Sequence, residues 1–500
     1  MRAYASDTTD EAFTASHTRF TGMVDWLADD HTAGMTHAEL ETRLHTDGLA
    51  LLRQLLQDSL DLRAGRERRL HEVADTDGVG RGTAESGRER VLTTVFGDVV
   101  VTRIAYRGRG QADLHPADAV LNLPRQKHSH GLRRLTAIEA ARGSYDDAAA
   151  AIARATGVRV GKRQVEQLTA QAAADVDAFY TDRDQRTCPG SDVLVLTFDA
   201  KGIVMRPGAL RQATARNAAS RKLSTRLSRG EKRYRKRMAE IAAVYDLTPT
   251  PRTATDILPE DEAQRASARP APAAAGKWLH ASVTDDAAQV ITAGFDEATR
   301  RDPDRQRVWV ALVDGNTHQI DRIRAEARTR QAQVNIVVDL IHVIEYLWKA
   351  AWCFFSEGDP QIETWVREQT RAILAGRAST VAAAIRRKAT YHGLDPGQRK
   401  AADTAATYLI NKKPWLDYPT ALTAGWPIAT GVIEGACRHL VKDRMDITGA
   451  RWGLTGAEAV LKLRALTSNG DFNDYWNWHL TQEQQRIHHT RYAGGVIPTR

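Results

Sequence analysis

Five hundred residues exceed what one hydrophobic core usually organises, which excludes a single small binding module and points to several domains. Hydrophobic residues make up 42% of the chain and charged residues 26%, a balance that builds folded cores. Seventy Lys and Arg against 62 Asp and Glu give a formal charge of +8, suited to a polyanionic partner, and three scattered cysteines exclude a disulfide framework and a four-cysteine zinc site.

The acidic, polar start lacks the features of a signal peptide. From about Glu11 to Arg69, spaced apolar residues among charges predict amphipathic helices, broken by the glycine-rich stretch from Asp77 to Gly87. The β-branched run from Val91 to Tyr106, interrupted at Gly97-Asp98, predicts a β-hairpin. From Gly131 to Tyr180 alanine-rich helices are cut short at Gly143 and Thr156-Gly157. A short helix, a glycine turn and a helix opening on Lys162, Arg163 and Gln164 is the order of a helix-turn-helix that presents polar side chains to a major groove. A plain helical hairpin with charges facing water has the same pattern.

Val193 to Phe198 is a continuous apolar run, the mark of a buried strand. Between Arg206 and Arg237 twelve basic residues face one acid, Glu231, a local charge of +11 that would neutralise phosphates. Arg221, Lys222, Lys232, Arg233, Arg235, Lys236 and Arg237 are its candidate DNA contacts, and a solvated basic arm is the alternative. A second strand is expected over Ala239 to Leu247, then a flexible Pro/Ala-rich insertion, then strands over Trp278 to Val283, Val308 to Val313 and Val334 to Val338 with helices between them. Val334 to Phe355 is the most apolar helix-length region, but Asp339, His342, Glu345 and Lys349 exclude a membrane span, and a cytoplasmic chain is expected. Helices without strand signals fill Asp359 to Ala424, and another helix starts near Thr430.

Three consecutive strands followed by alternating helices and strands is the order of a ribonuclease-H-like domain. The expected organisation is multidomain α/β: a helical region with a hairpin over 1–130, a helix-turn-helix over 131–188, the ribonuclease-H-like domain over 189–358 with an insertion at 206–276, a helical insertion over 359–424, and the second part of the domain with the tail over 425–500.

Asp199 and Asp314 fall at the ends of the first and fourth strands. If those strands run parallel and adjacent, the two carboxylates emerge at one edge as hard oxygen ligands for a divalent cation. Glu434, on the helix after Gly431, is the third acid, with Arg438 one turn later. Each acid has a plainer reading: a strand-end Asp often caps the next helix, and a helical Glu often pairs with Arg at i+4.

The stretch from Trp426 to Met445 carrying Gly431-Val-Ile-Glu-Gly-Ala-Cys-Arg-His439, then Thr448-Gly-Ala-Arg-Trp452 and the run from Gly456 to Arg464, closely resembles the terminal region of bacterial insertion-sequence transposases of the ISKra group, relatives of the Mutator-like enzymes. The resemblance extends from about Arg90 to Trp478 and takes in Asp199, Asp314-Gly315 and Asp339-Leu-Ile-His342. It implies a DDE transposase in which Asp199, Asp314 and Glu434 hold two Mg²⁺ or Mn²⁺ ions that serve strand cleavage and strand transfer. Asp339 and His342 would help orient DNA, and Asp339 is the alternative second ligand. The implied partners are the double-stranded DNA of transposon ends and target, and further copies of the chain in a homodimer or higher oligomer. Relatives often carry cysteine pairs after the hairpin; the segment from Tyr106 to His115 has none, so no structural zinc is expected. A metal-dependent nuclease without strand transfer, and a domesticated non-catalytic DNA-binding protein, are the two other classes compatible with these residues.

Overall fold

Helices α1 (Thr14–Ala28) and α2 (His37–Arg66) form in the amino-terminal region as the apolar spacing predicts. Thr36 and Glu39 close a capping box that starts α2, Thr36 N–H donating to Glu39 Oε2 at 2.8 Å. The two helices are tied by Asp58, a buried carboxylate of α2 that accepts both the backbone N–H and the hydroxyl of Ser16. The computed structural model describes residues 11–184, 192–219 and 234–499. It divides into two units, one made of the chain up to Thr181 together with the segment from Asp471, the other of Asp182–Gly470.

In the first unit, β1 (Thr83–Thr94) and β2 (Gly97–Arg107) form the antiparallel hairpin, with Gly97 at φ +114 in its turn. The strand starts eight residues before the apolar run, inside the stretch read as a break. Its polar first half still pairs with β2, through an irregularity between Glu85 and Arg88 where Gly87 takes φ +74. Helices α3 (His130–Arg142), α4 (Tyr145–Thr156) and α5 (Lys162–Ala172) follow, joined through a core of Leu132, Ala148, Ile152, Val165 and Leu168. Ser144 caps α4, and Gly157 at φ +70 ends it, a left-handed cap that glycine adopts without penalty.

The segment from Asp471, expected to continue the second part of the ribonuclease-H-like domain, belongs to the first unit. Its helix Phe472–Ile487 is rich in large polar-tipped side chains: Tyr475 hydroxyl donates to Ala172 O at 2.6 Å, His479 meets Asp175 at 2.6 Å, and Glu483 pairs with buried Arg133 at 2.9 Å. Burial, aided by neighbouring Arg133, lowers the pKa of His130 to about 4, while its Nε2 lies 2.9 Å from Asn122 O. The unfolded chain, with histidine near 6.5, then binds the proton first, so stability is full above about pH 6.5 and falls as the pH drops towards 4. Burial lowers His128 and His488 in the same direction. From His130 alone, urea unfolding is expected to show about 2 kcal/mol less stability at pH 5 than at pH 7, and His130→Gln should flatten that difference.

The second unit is organised by a five-stranded sheet of order β5-β4-β3-β6-β7, built from β3 (Val193–Val204), β4 (Lys236–Leu247), β5 (Ala274–Ser282), β6 (Trp309–Val313) and β7 (Val334–Val338). β3, β4 and β5 are antiparallel; β6 and β7 run parallel to β3. The continuous apolar run of β3 is buried on both faces, as a central strand requires. Helix α6 (Ala287–Arg301) packs on β3, β4 and β5, and α7 (Thr317–Thr329) on β6 and β7. On α6, Gly294 passes so close to Phe198 that a Cβ there would lie 2.7 Å from the ring. Near the start of β3, Asp246 receives Arg301 and Arg307, both at 2.8 Å, and Arg301 is shared with Glu297 at 2.7 Å; all four side chains are buried.

Helix α8 (Leu340–Ala351) leaves the end of β7, and α9 (Gln361–Leu374), α10 (Ala378–Tyr391) and α11 (Lys400–Lys412) occupy the stretch in which helices without strands are expected, with α11 returning against α8. Then come α12 (Gly431–Ala436), a π-helical turn over Cys437–Lys442, and α13 (Leu454–Asn469) against β5. Glu458 fixes α13 to the end of β5, accepting from Ser282 hydroxyl at 2.9 Å and Val283 N–H at 2.8 Å. Glu458→Ala strands those buried donors and is expected to cost about 2 to 4 kcal/mol in urea unfolding.

The Pro/Ala-rich stretch is not the flexible insertion expected from composition. Arg252, buried, donates to Trp426 O at 3.1 Å, its N–H donates to Leu422 O at 2.9 Å, and Thr250 N–H donates to Gly425 O at 3.2 Å. Gly425 at φ +76 admits this contact, since a Cβ would lie 2.4 Å from Thr250 N. Prolines remove donors, but Thr250 and Arg252 find acceptors on the segment just before α12, and Thr253, Glu260, Gln264 and Arg269 find theirs on side chains of the stretch itself.

Candidate functional site

Asp199 is not at the end of its strand, as the apolar run suggested. β3 continues to Val204 because β4 pairs with it along its whole length, Val193↔Leu247 to Val204↔Lys236. Its parallel pairing with β6, however, stops at Thr197↔Leu312. Continuing that register by two residues sets Asp199 opposite Asp314, on strands whose spacing is about 4.8 Å. Both aspartates are half-buried at the edge where the parallel ladder opens.

Asp314 Oδ1 accepts Asn316 N–H at 2.7 Å, and Asn316 in turn caps α7, so the turn after β6 is closed by its own side chains. Gly315 at φ +90 follows, with Tyr408 Oη 2.6 Å from where its Cβ would be. Tyr408, on α11, donates to Asp314 O at 3.0 Å and stacks on Tyr346 of α8 with ring centroids 4.0 Å apart. Burial raises the Tyr408 hydroxyl well above its ordinary range, so it is a protonated donor.

Glu434 is exposed on α12, which packs against β3 and β4. One turn on, the buried Cys437 thiol donates to Asp199 Oδ2 at 3.1 Å. Burial raises the Cys437 pKa, and the charges of Asp199 and Glu434 push the same way. The sequence places Cys437 inside the glutamate motif but assigns it no role; its position three residues past Glu434 is the signal that points to one. Arg438 faces Asp443 at 3.8 Å rather than Glu434, so the plain i,i+4 pairing is not formed.

Asp339 differs from Asp314 in environment. At 0% exposure, its carboxylate caps α8 through Ile341 N–H at 2.8 Å, lies 3.3 Å from His342 Nδ1, and accepts the hydroxyl of Thr430, the residue before α12. That hydrogen bond to Asp339, then its charge and that of Asp314, act against burial to raise the pKa of His342. Asp339 therefore has the plainer helix-capping role and also holds the start of the Glu434 helix. Asp314 is instead half-buried, and faces Asp199 when the β3–β6 register is continued.

As a donor set, the carboxylates of Asp199, Asp314 and Glu434 fit a hard divalent cation. Among the described residues, however, no group of three or more His, Cys, Asp and Glu side chains is gathered closely enough to hold a metal ion.

Of the residues expected to touch DNA, Lys162 pairs with Asp146, and Gln164 Oε1 accepts Gly161 N–H at 3.2 Å, capping its own helix. Arg163 is exposed. In the basic segment, Arg221, Lys222, Lys232 and Arg233 lie outside the described residues. Lys236 is exposed at the start of β4 and Arg235 half-buried just before it, while Arg237 Nε donates to Val283 O at 2.7 Å and so serves the sheet. No described helix is long and apolar enough to cross a membrane. The sequence matches no protein-family model and no curated protein.

Proposed function

We propose that the Asp182–Gly470 unit is a ribonuclease-H-like catalytic domain and that the chain is a DNA transposase of the DDE type, resembling those of the ISKra group. The observation that carries this reading is that Asp199 and Asp314 each stand two residues past the last parallel pair of β3 and β6, Thr197↔Leu312, with the Glu434 helix packed on β3. The sheet order, three antiparallel strands followed by two parallel to the first, supports the fold assignment.

Divalent cations held by Asp199, Asp314 and Glu434 would activate water or a 3′-hydroxyl and stabilise the leaving oxygen on phosphorus. The chain's own residues set the frame for this. β3 carries Asp199, the turn just after β6 carries Asp314, and Asp339 fixes α12 through Thr430. Tyr408 and Gly315 hold the turn that carries Asp314. His342, whose pKa is raised by its hydrogen bond to Asp339, would donate to a phosphate oxygen when protonated.

Recognition falls to the first unit, where α4, the Gly157 turn and α5 form a helix-turn-helix that lays the start of α5 in a major groove. With Lys162 paired and Gln164 capping, Arg163 is the residue available for bases. Arg163→Ala is expected to lower the preference for end DNA over random DNA by about 1 to 3 kcal/mol. Gln164→Ala should instead loosen the start of α5 by about 1 kcal/mol. Competition gel shifts and urea unfolding separate the two effects.

The function is tested with the element's own ends on labelled DNA in Mg²⁺. Specific nicking at the end, followed by joining to target DNA, is expected. Cleavage without joining would make the chain a nuclease, and end binding without cleavage a non-catalytic DNA-binding protein; either result overturns the reading.

A further inference from the structure

A cleft of about 950 Å³ lies inside the first unit, walled by the hairpin, the loop after it, α3 and the C-terminal helix Phe472–Ile487. Arg90 and Arg103 enter it from the hairpin, Arg125 and Lys127 from the loop, and Arg133 from α3. Arg486 and Arg491 complete seven cations that face two carboxylates, Asp118 and Glu483.

Part of this charge is spent on the fold. Arg103 pairs with Asp118 at 3.0 Å, Arg133 with Glu483 at 2.9 Å, Arg486 with Asp175 at 2.9 Å, and Arg90 donates to Pro124 O at 2.8 Å. Arg125 and Lys127 are different: both are exposed, and neither side chain makes a hydrogen bond or ion pair among the described residues. Buried Arg133 also keeps an Nε–H without a hydrogen-bond partner. Burial lowers the pKa of His115 and His488, so the excess is counted on guanidinium and ammonium groups alone.

The lining also says which part of a polyanion fits. No Phe, Tyr or Trp is among the lining residues, so the cleft offers no stacking platform for a base. Its apolar side chains are Val91, Leu123 and Ile487, against seven cationic ones. Arginine and lysine without aromatics suit phosphate oxygens.

We propose that this cleft docks the sugar–phosphate backbone of duplex DNA irrespective of its sequence, as a second DNA contact beside the groove-reading helix. That the polyanion is DNA rests on the function proposed above. The charge excess of the cleft does not.

The experiment measures fluorescence anisotropy of a labelled random-sequence duplex with the full chain across about 50 to 200 mM salt, with inorganic tripolyphosphate as the small-anion probe. The double variant Arg125→Glu/Lys127→Glu is expected to weaken duplex binding more than about ten-fold and to lower the salt slope by about 1.8, two phosphate contacts' worth. Arg125→Gln/Lys127→Gln, which adds no repulsion, should lower the slope equally with a smaller loss of affinity. Unchanged circular dichroism and urea midpoint establish that both variants fold, and if the reversal variant does not fold, the neutral one decides.

If the unaltered chain binds duplex and cleaves ends while both variants keep its affinity and slope, the cleft proposal fails and the proposed function stands. Should the unaltered chain bind no duplex, both fail together. Tripolyphosphate bound through Arg125 and Lys127 while duplex is bound without them would make the cleft a small-anion site and overturn the proposal.

Discussion

Glu434→Gln is expected to bring cleavage of end DNA in Mg²⁺ below detection while end binding persists. The carboxamide keeps the size of the side chain and the packing of α12 but removes one anionic oxygen from the donor set. Glu434 is exposed, so the exchange leaves no buried group unpaired and should leave urea unfolding unchanged. Gel shift and cleavage on the same labelled fragment read both properties. Normal cleavage by this variant would remove Glu434 from the catalytic set, and lost binding would mean that the second unit carries recognition. Asp314→Asn should give the same phenotype. Asp339→Asn should behave differently, weakening the hold on Thr430 and His342 and so losing stability as well as rate.

The largest stability loss is expected from Asp246→Ala, about 3 to 5 kcal/mol. Its two oxygens receive Arg301 and Arg307, each at 2.8 Å, in a region where all three side chains are buried. Without the carboxylate, the two guanidinium groups stay desolvated with Glu297 as the remaining acid beside Arg301. Tryptophan fluorescence during urea unfolding reports it directly, since Trp309 lies in the same region, its Nε1–H on Asp302 at 2.8 Å. A loss under about 1 kcal/mol would mean that water reaches these arginines and that the cluster is not closed.

The strand order of the second unit was legible because its signals are local: Val193 to Phe198, Val308 to Val313 and Val334 to Val338 are continuous apolar runs of strand length. The boundaries were less legible. The apolar run after Val193 places the strand's end at Asp199, yet Asp-Ala-Lys-Gly after Phe198 stays in β3 because β4 supplies a ladder for it. The same holds for Thr83 to Arg90, polar residues kept extended by β2. Cross-strand pairing overrode local composition in both places. For the candidate site, Asp199, Asp314 and Glu434 were readable as acids at element ends, but the thiol of Cys437 on Asp199 and the hydroxyl of Thr430 on Asp339 were not, because neither side chain is unusual until the fold apposes it. The cleft of the first unit was invisible for a related reason. The basic run between Arg206 and Arg237 announces itself by density, whereas Arg90, Arg125, Arg133 and Arg491 are scattered along the chain and become a charged surface only by folding.

The hydrogen bond from Thr430 to Asp339 joins residues ninety-one positions apart, and Leu340 N–H on Ile428 O at 2.9 Å closes the same neck. Everything between, α8 to α11 included, leaves and re-enters the sheet through that neck. The helices between Leu340 and Ile428 are therefore free to lengthen or shorten in descendants of this sequence without displacing Asp314 or Glu434, so long as the helix carrying Tyr408 and the Leu422–Trp426 segment that receives Thr250 and Arg252 are kept. A search for kindred chains by fixed spacing would miss them. What should travel together through evolution is a pair: an acid at position 339 with a hydroxyl at 430, lost or exchanged jointly.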